Sequence, residues 1–293
     1  MSIWALSLQF LCTGLTIGSI YALIALGFTI IYNASGVVNF AQGEFVMLGA
    51  LLAVTLTAHG VPLVPALVVS VALVTLLGCL LERGFIRPLA GRPVITPIIV
   101  TIGASITLRG VSMLAWGKDA LPLAPLPGPP TVALGSAVLQ FQSVWVLGIS
   151  LVAMVCLRLF FDRTLTGRAM RANAANREGA LLVGINPGRM VMLSFMFSAA
   201  IGALAGALIA PITLASYEMG TMLGLKGFSA AILGGLGSSP GAILGGLLLG
   251  VLESFAAGFI SSGYKDAVAF VVLLLVLFLR PTGLLGARKL GGL

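Results

Sequence analysis

Long stretches without a charged side chain constrain this sequence most strongly. No Asp, Glu, Lys or Arg precedes Glu44, and none occurs in 120–157 or 227–252. A helix needs about 20 apolar residues to cross about 30 Å of hydrocarbon, and these stretches are long enough to supply them. The sequence has no series of roughly ten-residue segments of alternating polarity, which would indicate a transmembrane β-barrel. It therefore predicts an all-α polytopic membrane protein.

The small number of charged residues also argues against the soluble classes of protein. Only 8% of the 293 residues are charged, whereas about 25% is usual in soluble domains. This disfavours a soluble enzyme, a secreted disulfide scaffold, a disordered chain and a nucleic-acid binder, because each needs a polar, solvated surface. The net charge of +8 comes from Arg and Lys gathered in a few short loops, as the positive-inside rule requires.

Apolar stretches separated by polar breaks give the expected order of helices. We expect a single membrane domain over residues 1–293 with about eight or nine transmembrane helices. The apolar stretches lie at roughly 6–32, 37–57, 62–82, 94–115, 142–161, 190–213, 219–233, 241–258 and 266–280. Three basic segments, 82–93, 158–189 and the tail from Arg280, carry twelve of the sixteen cationic residues. We therefore place all three segments in the cytoplasm.

The number of crossings predicts a break late in the chain. If the sixth helix runs outward and the tail lies inside, an odd number of crossings separates Pro211 from Arg280. Either 219–233 is a short span, or it is re-entrant and 241–258 leads back out. A kinked single span, with another helix misplaced, is the alternative. Glycines and a proline allow the chain to turn, so we expect a broken or re-entrant helix at Gly234, Gly235, Gly237, Pro240 and Gly241.

A second polar interruption lies between Tyr32 and Glu44. Paired interruptions in the two halves of a transporter point to a transport site, and charged residues at membrane depth are costly and mark functional sites. Glu44 begins the second helix, and Arg109 lies well inside the fourth. We predict that Asn39, Gln42, Glu44 and Arg109 border a polar translocation pathway. The alternative for Glu44 and Arg109 is a structural charge pair or a helix-end contact.

Residues suited to catalysis or metal binding are scarce. The chain has one histidine, His59, so a Ser-His-Asp arrangement has no support. No cluster of Cys, His and carboxylate side chains has the spacing of a metal site, and no Walker A sequence is present. We therefore expect no enzymatic activity, no metal and no P-loop for ATP in this chain.

The predicted cytoplasmic loop 162–189 is longer than a minimal turn requires. From Gly167 to Val183 it can form a short amphipathic helix, with Met170, Ala174, Arg177 and Leu181 near one face. A short helix parallel to the membrane suits the groove of a partner protein. The residues alone leave two possibilities open, a docking element and a plain positively charged loop.

Several strings of this chain resemble the permease subunits of branched-chain amino-acid ABC importers. They follow one another in order over nearly the whole chain, and their combination is specific although no single string is. They are GSIYALIALGFTIIY at 18–32, VVNFAQGEFVMLGA at 37–50, ERGFIRPLAGRP at 82–93, TPIIVTIGASI at 96–106, GRAMRANAANREGALLVGIN at 167–186, GLKGFSAAILGGLGSSPGAILGGLLLGVLES at 224–254 and YKDAVAFVVLLLVLFLRPTGLLG at 264–286. Within the family the chain looks like the shorter, H-type permease.

This resemblance implies an ABC importer permease fold and a set of partners. Such permeases lie in the bacterial inner (plasma) membrane and pair with a second permease, usually as a heterodimer. Two cytoplasmic ATPase subunits hold ATP and Mg²⁺, and an external substrate-binding protein delivers the substrate. The loop matches the family segment that touches the ATPases. The resemblance therefore assigns coupling to the ATPases to eight residues of the loop: Gly167, Arg168, Arg171, Asn173, Arg177, Glu178, Ala180 and Gly184.

The expected function is inward transport of branched-chain or related small amino acids, driven by ATP hydrolysis on the partner subunits. The family also carries other amino acids, urea and short amides, and these stay open as substrates. The family often has histidine where this chain has Gln42, which counts against a role that needs a titratable group there. The competing class is a secondary transporter or channel that needs no ATPase. It would be expected to show several intramembrane carboxylates or a coupling-ion site.

Overall fold

The structure, a computed structural model, describes residues 3–134, 137–280 and 282–286. These residues form a bundle of helices with one short hairpin. The helices are α1 (Ile3–Ser35), α2 (Gln42–Ala58), α3 (Leu63–Leu81), α4 (Ile95–Trp116), α5 (Phe141–Arg163), α6 (Leu165–Ala175), α7 (Arg177–Leu182), α8 (Pro187–Thr213), α9 (Met219–Gly234), α10 (Ser239–Phe259) and α11 (Lys265–Leu279). A π-helical turn, Glu82–Ile86, and a 3₁₀ turn, Arg87–Leu89, extend α3, and a 3₁₀ turn, Ser262–Tyr264, precedes α11.

Each of the nine predicted apolar stretches contains a helix, which confirms the all-α polytopic architecture. In the described part of the chain, seven helical segments are long and apolar enough to cross a membrane. The helices α2 and α9 are shorter, at 17 and 16 residues, and much of each is buried inside the bundle. The antiparallel hairpin of β1 (Thr131–Leu134) and β2 (Ala137–Gln140) was not predicted.

The core is built around α1 and α8, whose middle portions are buried on all sides. A helix that is apolar all round belongs in such a position. The helices α3, α4, α5 and α11 lie outside them and expose many large apolar side chains, among them Leu114 and Phe278. Such an apolar exterior is what a lipid-facing surface requires.

The segments 82–93 and 158–189 and the described part of the tail, 280 and 282–286, meet at one end of the bundle, here called the basic end; Arg288 and Lys289 lie outside the described residues. Ile86 after α3 packs against the group formed by Ile31, Ala34 and Val191, where α1 ends and α8 begins. The backbone of the tail also reaches this end, because Leu284 N donates to the carbonyl of Leu233 at 2.9 Å. This clustering agrees with the placement of all three segments on one side of a membrane.

The predicted late break is a turn between two separate helices. The helix α9 ends at Gly234, and Gly235 and Gly237 take φ values of 103° and 98°, which side chains other than glycine rarely adopt. Ser238 caps α10 by accepting a hydrogen bond from Gly241 N. Pro240 lies in the first turn of α10, where a missing N–H costs little.

The position of this turn bears on the number of passes that the chain makes through the bundle. The helices α9 and α10 pack against each other as an antiparallel hairpin, and Asn33 Nδ2 at the end of α1 donates to the Gly237 carbonyl at 2.9 Å. The turn therefore lies at the basic end. In the described chain α9 runs back toward the basic end after α8, and α10 and α11 follow as two further passes through the bundle, so 226–258 is not one uninterrupted helix.

Close backbone contact joins α1 to α10. A Cβ atom on Gly250 would lie 2.3 Å from the Cα atom of Gly18 and 2.5 Å from the carbonyl oxygen of Gly14. Small residues let helix backbones approach this closely in membranes, where packing rather than the hydrophobic effect drives association.

We expect Gly250→Ala to lower the thermal unfolding midpoint of the detergent-solubilised protein. The added methyl group meets rigid backbone, and overpacking of this kind costs about 1–3 kcal/mol. The matched control is Gly148→Ala on α5, where a Cβ atom meets nothing within 4 Å and helix propensity improves by up to about 1 kcal/mol. Equal midpoints for the two variants would contradict the close contact.

Candidate functional site

A cavity of about 290 Å³ lies between α1, α2, α4 and α9. Its polar lining consists of Glu44, Ser105, Arg109 and Thr221. It opens on the surface of the chain between α4 and α9, where Ile102, Ile106 and Leu225 are exposed. Two of the four predicted pathway residues, Glu44 and Arg109, thus share one cavity.

Glu44 is 1% exposed and has one unused carboxylate oxygen. Its Oε1 accepts a hydrogen bond from Ser105 Oγ at 2.8 Å, whereas Oε2 has no partner in the described structure. The residue lies in the first turn of α2, where the positive end of the helix dipole favours an anion. This environment holds a carboxylate at a site that lipid alone would not tolerate.

Arg109 reaches the same cavity from α4. Its Nη1 donates to Thr221 Oγ1 on α9 at 3.1 Å. In the described chain no ion pair joins Arg109 to Glu44, although both line the cavity. The structural charge pair considered as an alternative is therefore not formed here.

Gln42 and Asn39, which were also predicted to border the pathway, lie away from this cavity. The amide of Gln42 sits between α1 and α8, where its Nε2 donates to the Ser198 carbonyl at 3.1 Å and its Oε1 accepts from Ser198 Oγ. Asn39 is also buried, and its Oδ1 accepts from Ala41 N at 3.1 Å. The physical reason for Gln42 is that residues two apart on a helix face different directions, so Gln42 and Glu44 cannot share one wall.

Three phenylalanines form an aromatic wall in the cavity. They come from α1, from the segment before α2, and from α9: Phe28, Phe40 and Phe228. The ring centroids of Phe28 and Phe228 lie 5.5 Å apart, and those of Phe40 and Phe228 lie 5.6 Å apart. Sequence analysis missed this wall because its members are far apart along the chain and no local spacing connects them.

A buried ion network lies on the other side of α9. Lys226 Nζ contacts Glu253 Oε1 at 2.6 Å and Asp266 Oδ1 at 2.5 Å. Tyr21 donates its hydroxyl hydrogen to the second Glu253 oxygen at 2.8 Å. The network joins α1, α9, α10 and α11. The sequence shows that Glu253 is a carboxylate in an apolar stretch. Its partners could not be predicted, because they lie on other helices.

The predicted coupling loop forms two helices at the basic end. A single helix was expected, but Asn176 ends α6 and its side chain caps α7 by accepting from Gly179 N at 2.9 Å. The capping preference of asparagine explains the break. Gly184, with φ of 83°, ends α7, and the N–H of Ile185 donates to the Ala180 carbonyl at 2.9 Å.

Three of the predicted coupling residues face this chain itself. Gly167 lies against α5, since a Cβ atom there would be 2.2 Å from the Phe160 carbonyl oxygen. Asn173 Nδ2 donates to the Ala34 carbonyl at the end of α1 at 3.1 Å. Ala180 is 3% exposed. These three residues hold the loop in place, and the covered side chain of Ala180 leaves it little surface for the coupling contact predicted for it.

The remaining predicted coupling residues lie on the outer surface of the loop. Arg168, Arg177, Glu178 and Gly184 are exposed. Arg171 is also exposed, but its Nη1 contacts Asp162 Oδ1 at 2.7 Å. The shared face expected for Met170 and Leu181 is not formed, because the break at Asn176 leaves Met170 buried and Leu181 exposed.

Comparison with known proteins identifies the family. A family model described as the permease component of a branched-chain amino acid transport system matches residues 10–277. The permease BraD of Pseudomonas aeruginosa, from a high-affinity branched-chain amino acid transport system, is 40% identical over 95% of each chain. LivH of Escherichia coli, described in the same terms, is 36% identical over 95% of each chain.

The chain belongs to the permease family of branched-chain amino-acid ABC importers. Among solved structures, a chain of PsaBC from Streptococcus pneumoniae in complex with Fab covers 95% of this chain and 92% of its own length. The two chains superpose with a TM-score of 0.47 and are 14% identical.

Family membership changes the significance of one surface that sequence analysis missed. At the end of α7 the permease exposes three consecutive apolar side chains, Leu181, Leu182 and Val183, and Leu182 is 89% exposed. They lie at the basic end on the loop that the family resemblance assigned to the ATPases. An apolar patch rimmed by polar residues marks an interaction surface. The signal available in the sequence was the run Leu-Leu-Val beside charged residues.

We expect Lys226→Met to lower the thermal unfolding midpoint of the permease strongly. Removing the only cation of the described network leaves Glu253 and Asp266 uncompensated, and breaking a buried pair in this way costs about 3–5 kcal/mol. The matched control is Lys265→Met, which removes the same charge from an exposed neighbour of Asp266 and should change stability by less than about 0.5 kcal/mol. Equal effects of the two variants would show that the network does not hold the helices together.

Proposed function

We propose that this permease forms the membrane pathway of an ABC importer that moves branched-chain or related small amino acids inward. The observation that carries this proposal is the cavity that brings Glu44 and Arg109 together inside the bundle. Buried charges that are not paired with each other are expensive at membrane depth, and they mark substrate pathways. The relatives BraD and LivH, named for branched-chain amino acid transport, supply the substrate class.

A second permease subunit completes the pathway in this proposal. The cavity is closed by α1, α2 and α9 but opens between α4 and α9, where exposed apolar side chains surround the opening. A second subunit placed there would enclose the cavity and cover this apolar surface. A heterodimer is the arrangement that the family resemblance implies.

The basic end lies in the cytoplasm of a bacterial cell in this proposal, with the permease in the inner (plasma) membrane. Two ATPase subunits lie on the cytoplasmic side and hold the ATP and Mg²⁺ whose turnover drives transport, and one of them docks on α6 and α7. The exposed side chains Leu181, Leu182 and Val183 would be the apolar centre of the docking surface, and Arg168, Arg177 and Glu178 its polar rim. An external substrate-binding protein would dock at the opposite end, near the β1–β2 hairpin.

The apolar patch also bears on the competing transporter class. A secondary transporter or channel that works without an ATPase has no ATPase partner to cover exposed leucines on a loop at the basic end. Such side chains cost free energy in water unless a partner covers them. The patch therefore favours an ATPase-coupled importer.

We expect Leu182→Glu to release the ATPase subunits while the permease stays in the membrane. A charge at the centre of a desolvated surface costs at least about 2 kcal/mol of binding free energy, so ATPase co-purification and uptake should both fall by more than about tenfold. The control Val138→Glu places the same charge on an exposed β2 side chain at the opposite end and should leave ATPase association unchanged. Retention of the ATPases by the Leu182 variant would contradict the docking surface.

Uptake by the complete transporter, with its binding protein, tests the substrate class. We expect leucine, isoleucine or valine to accumulate in proteoliposomes when ATP is present on the ATPase side, and not when ATP is replaced by a non-hydrolysable analogue. Urea and acetamide are the comparison substrates. Accumulation of urea or acetamide with no accumulation of any amino acid would replace the proposed substrate class and keep the mechanism. Accumulation without ATP hydrolysis would overturn the mechanism itself.

A further inference from the structure

We propose that the cavity between α1, α2, α4 and α9 binds the zwitterionic form of an α-amino acid in a fixed orientation. Glu44 receives the ammonium group, Arg109 receives the carboxylate, and the aromatic wall of Phe28, Phe40 and Phe228 contacts the apolar side chain. The inference rests on the proposed function and adds the chemical groups by which the permease itself recognises its substrate.

The unused oxygen of Glu44 is the first support. The side chain is almost completely buried, Ser105 occupies Oε1, and Oε2 has no partner in the described structure. Buried polar atoms are nearly always hydrogen-bonded. A buried acceptor without a hydrogen bond costs free energy, and the cost is larger for a charged group. An ammonium group has three donors and no acceptor, so it would satisfy this oxygen and cancel its charge. The oxygen is covered in the described structure, with Gly220 of α9 beside it, so binding requires a small movement of α9 away from α2.

The unused donors of Arg109 are the second support. A guanidinium group has five N–H donors in a fixed fork, and the structure assigns one of its nitrogens to Thr221. The rest of the fork is available to a carboxylate, which it can bind through two parallel hydrogen bonds. Because Arg109 does not pair with Glu44, a ligand that bears both charges can neutralise the two residues at once.

The aromatic wall is the third support. Phe28 belongs to the buried core, and Phe40 and Phe228 continue the wall toward the cavity. Burying a branched aliphatic side chain against such a surface contributes about 1.5–3 kcal/mol. The cavity, at about 290 Å³, lies near the lower limit of the roughly 300–1,000 Å³ range of small-molecule sites. A small amino acid fits a cavity of this volume, whereas a peptide does not.

The proposal predicts a selectivity that an apolar pocket alone would not produce. Urea and short amides carry no full charges, so they would leave both Glu44 and Arg109 uncompensated. An analogue with only one of the two charges would compensate one residue and leave the other buried and unpaired. Recognition therefore requires both charges on one small molecule.

The test measures ligand protection of a cysteine in the cavity lining. Leu225→Cys, in a background without Cys12, Cys79 and Cys156, places a thiol on the wall of the cavity, where the second permease would enclose it within the pathway and a small reagent would reach it by the route of the substrate. The assembled transporter with its second permease and ATPases is labelled by a small methanethiosulfonate reagent. The probes are leucine, 4-methylpentanoate, which lacks the amino group, and 3-methylbutylamine, which lacks the carboxylate. We expect leucine to slow labelling at concentrations at least about tenfold lower than either analogue, the factor set by one charge-assisted hydrogen bond.

Charge-removing variants then assign each group. In Glu44→Gln, leucine should lose its advantage over 4-methylpentanoate, because the ammonium no longer meets a carboxylate. In Arg109→Gln, leucine should lose its advantage over 3-methylbutylamine, and Arg109→Lys should restore part of it. A purely structural role of either residue would weaken all three probes equally.

Two results overturn the inference, and neither requires the charge variants to fold. One is equal protection by leucine and by either analogue when Glu44 and Arg109 are both intact. The other is an absence of leucine protection in a transporter that accumulates leucine, which would leave the proposed function standing without this site. A transporter that accumulates no amino acid would instead contradict the proposed function, so the two failures are distinguishable.

Discussion

Backbone contact at glycine is the interaction on which the rest of this bundle depends. Membrane helices gain little from burying apolar surface against each other, so their association requires close packing. Here α1 meets α10 at Gly18 and Gly250, and α2 meets α9 so closely that a Cβ atom on Gly43 would lie 2.1 Å from the Gly220 carbonyl oxygen. This packing holds α2 and α9, the two shorter helices, inside the bundle. Their polar residues are thereby brought to membrane depth.

The bundle contains two groups of buried charges that differ in how completely they are paired. Around Lys226 the ammonium is surrounded by two carboxylates, and Tyr21 satisfies a further oxygen of Glu253. At the cavity, Glu44 Oε2 has no partner in the described structure, and Arg109 donates to the neutral hydroxyl of Thr221. A saturated network fixes helices relative to one another, whereas unsatisfied groups retain a capacity to bind. The helix α9 contributes to both sites, because it carries Lys226 of the ion network and Thr221 of the cavity.

The sequence predicted what depends on local properties and missed what depends on contacts between distant residues. Apolar runs and positive loops gave all nine stretches and the basic end, because hydrocarbon thickness and charge placement act on each segment separately. Gln42 and Glu44 do not line the same cavity, because residues two apart on a helix point in different directions. The break at Asn176 had a recognisable capping residue. The partners of Glu253 had no such signal, since they depend on which helices are neighbours.

The hydrogen bond from Asn173 to the last turn of α1 gives the permease a short mechanical linkage. Only six residues, 36–41, separate the end of α1 from the beginning of α2. This segment leads from the basic end into the bundle, where Gln42 at the start of α2 bonds to Ser198 in the middle of α8. The contact between α6 and the end of α1 is a hydrogen bond, and the chain from there to α2 is only the segment 36–41. The position of the loop and the position of Glu44 are thus tied through one hydrogen bond and one short stretch of backbone.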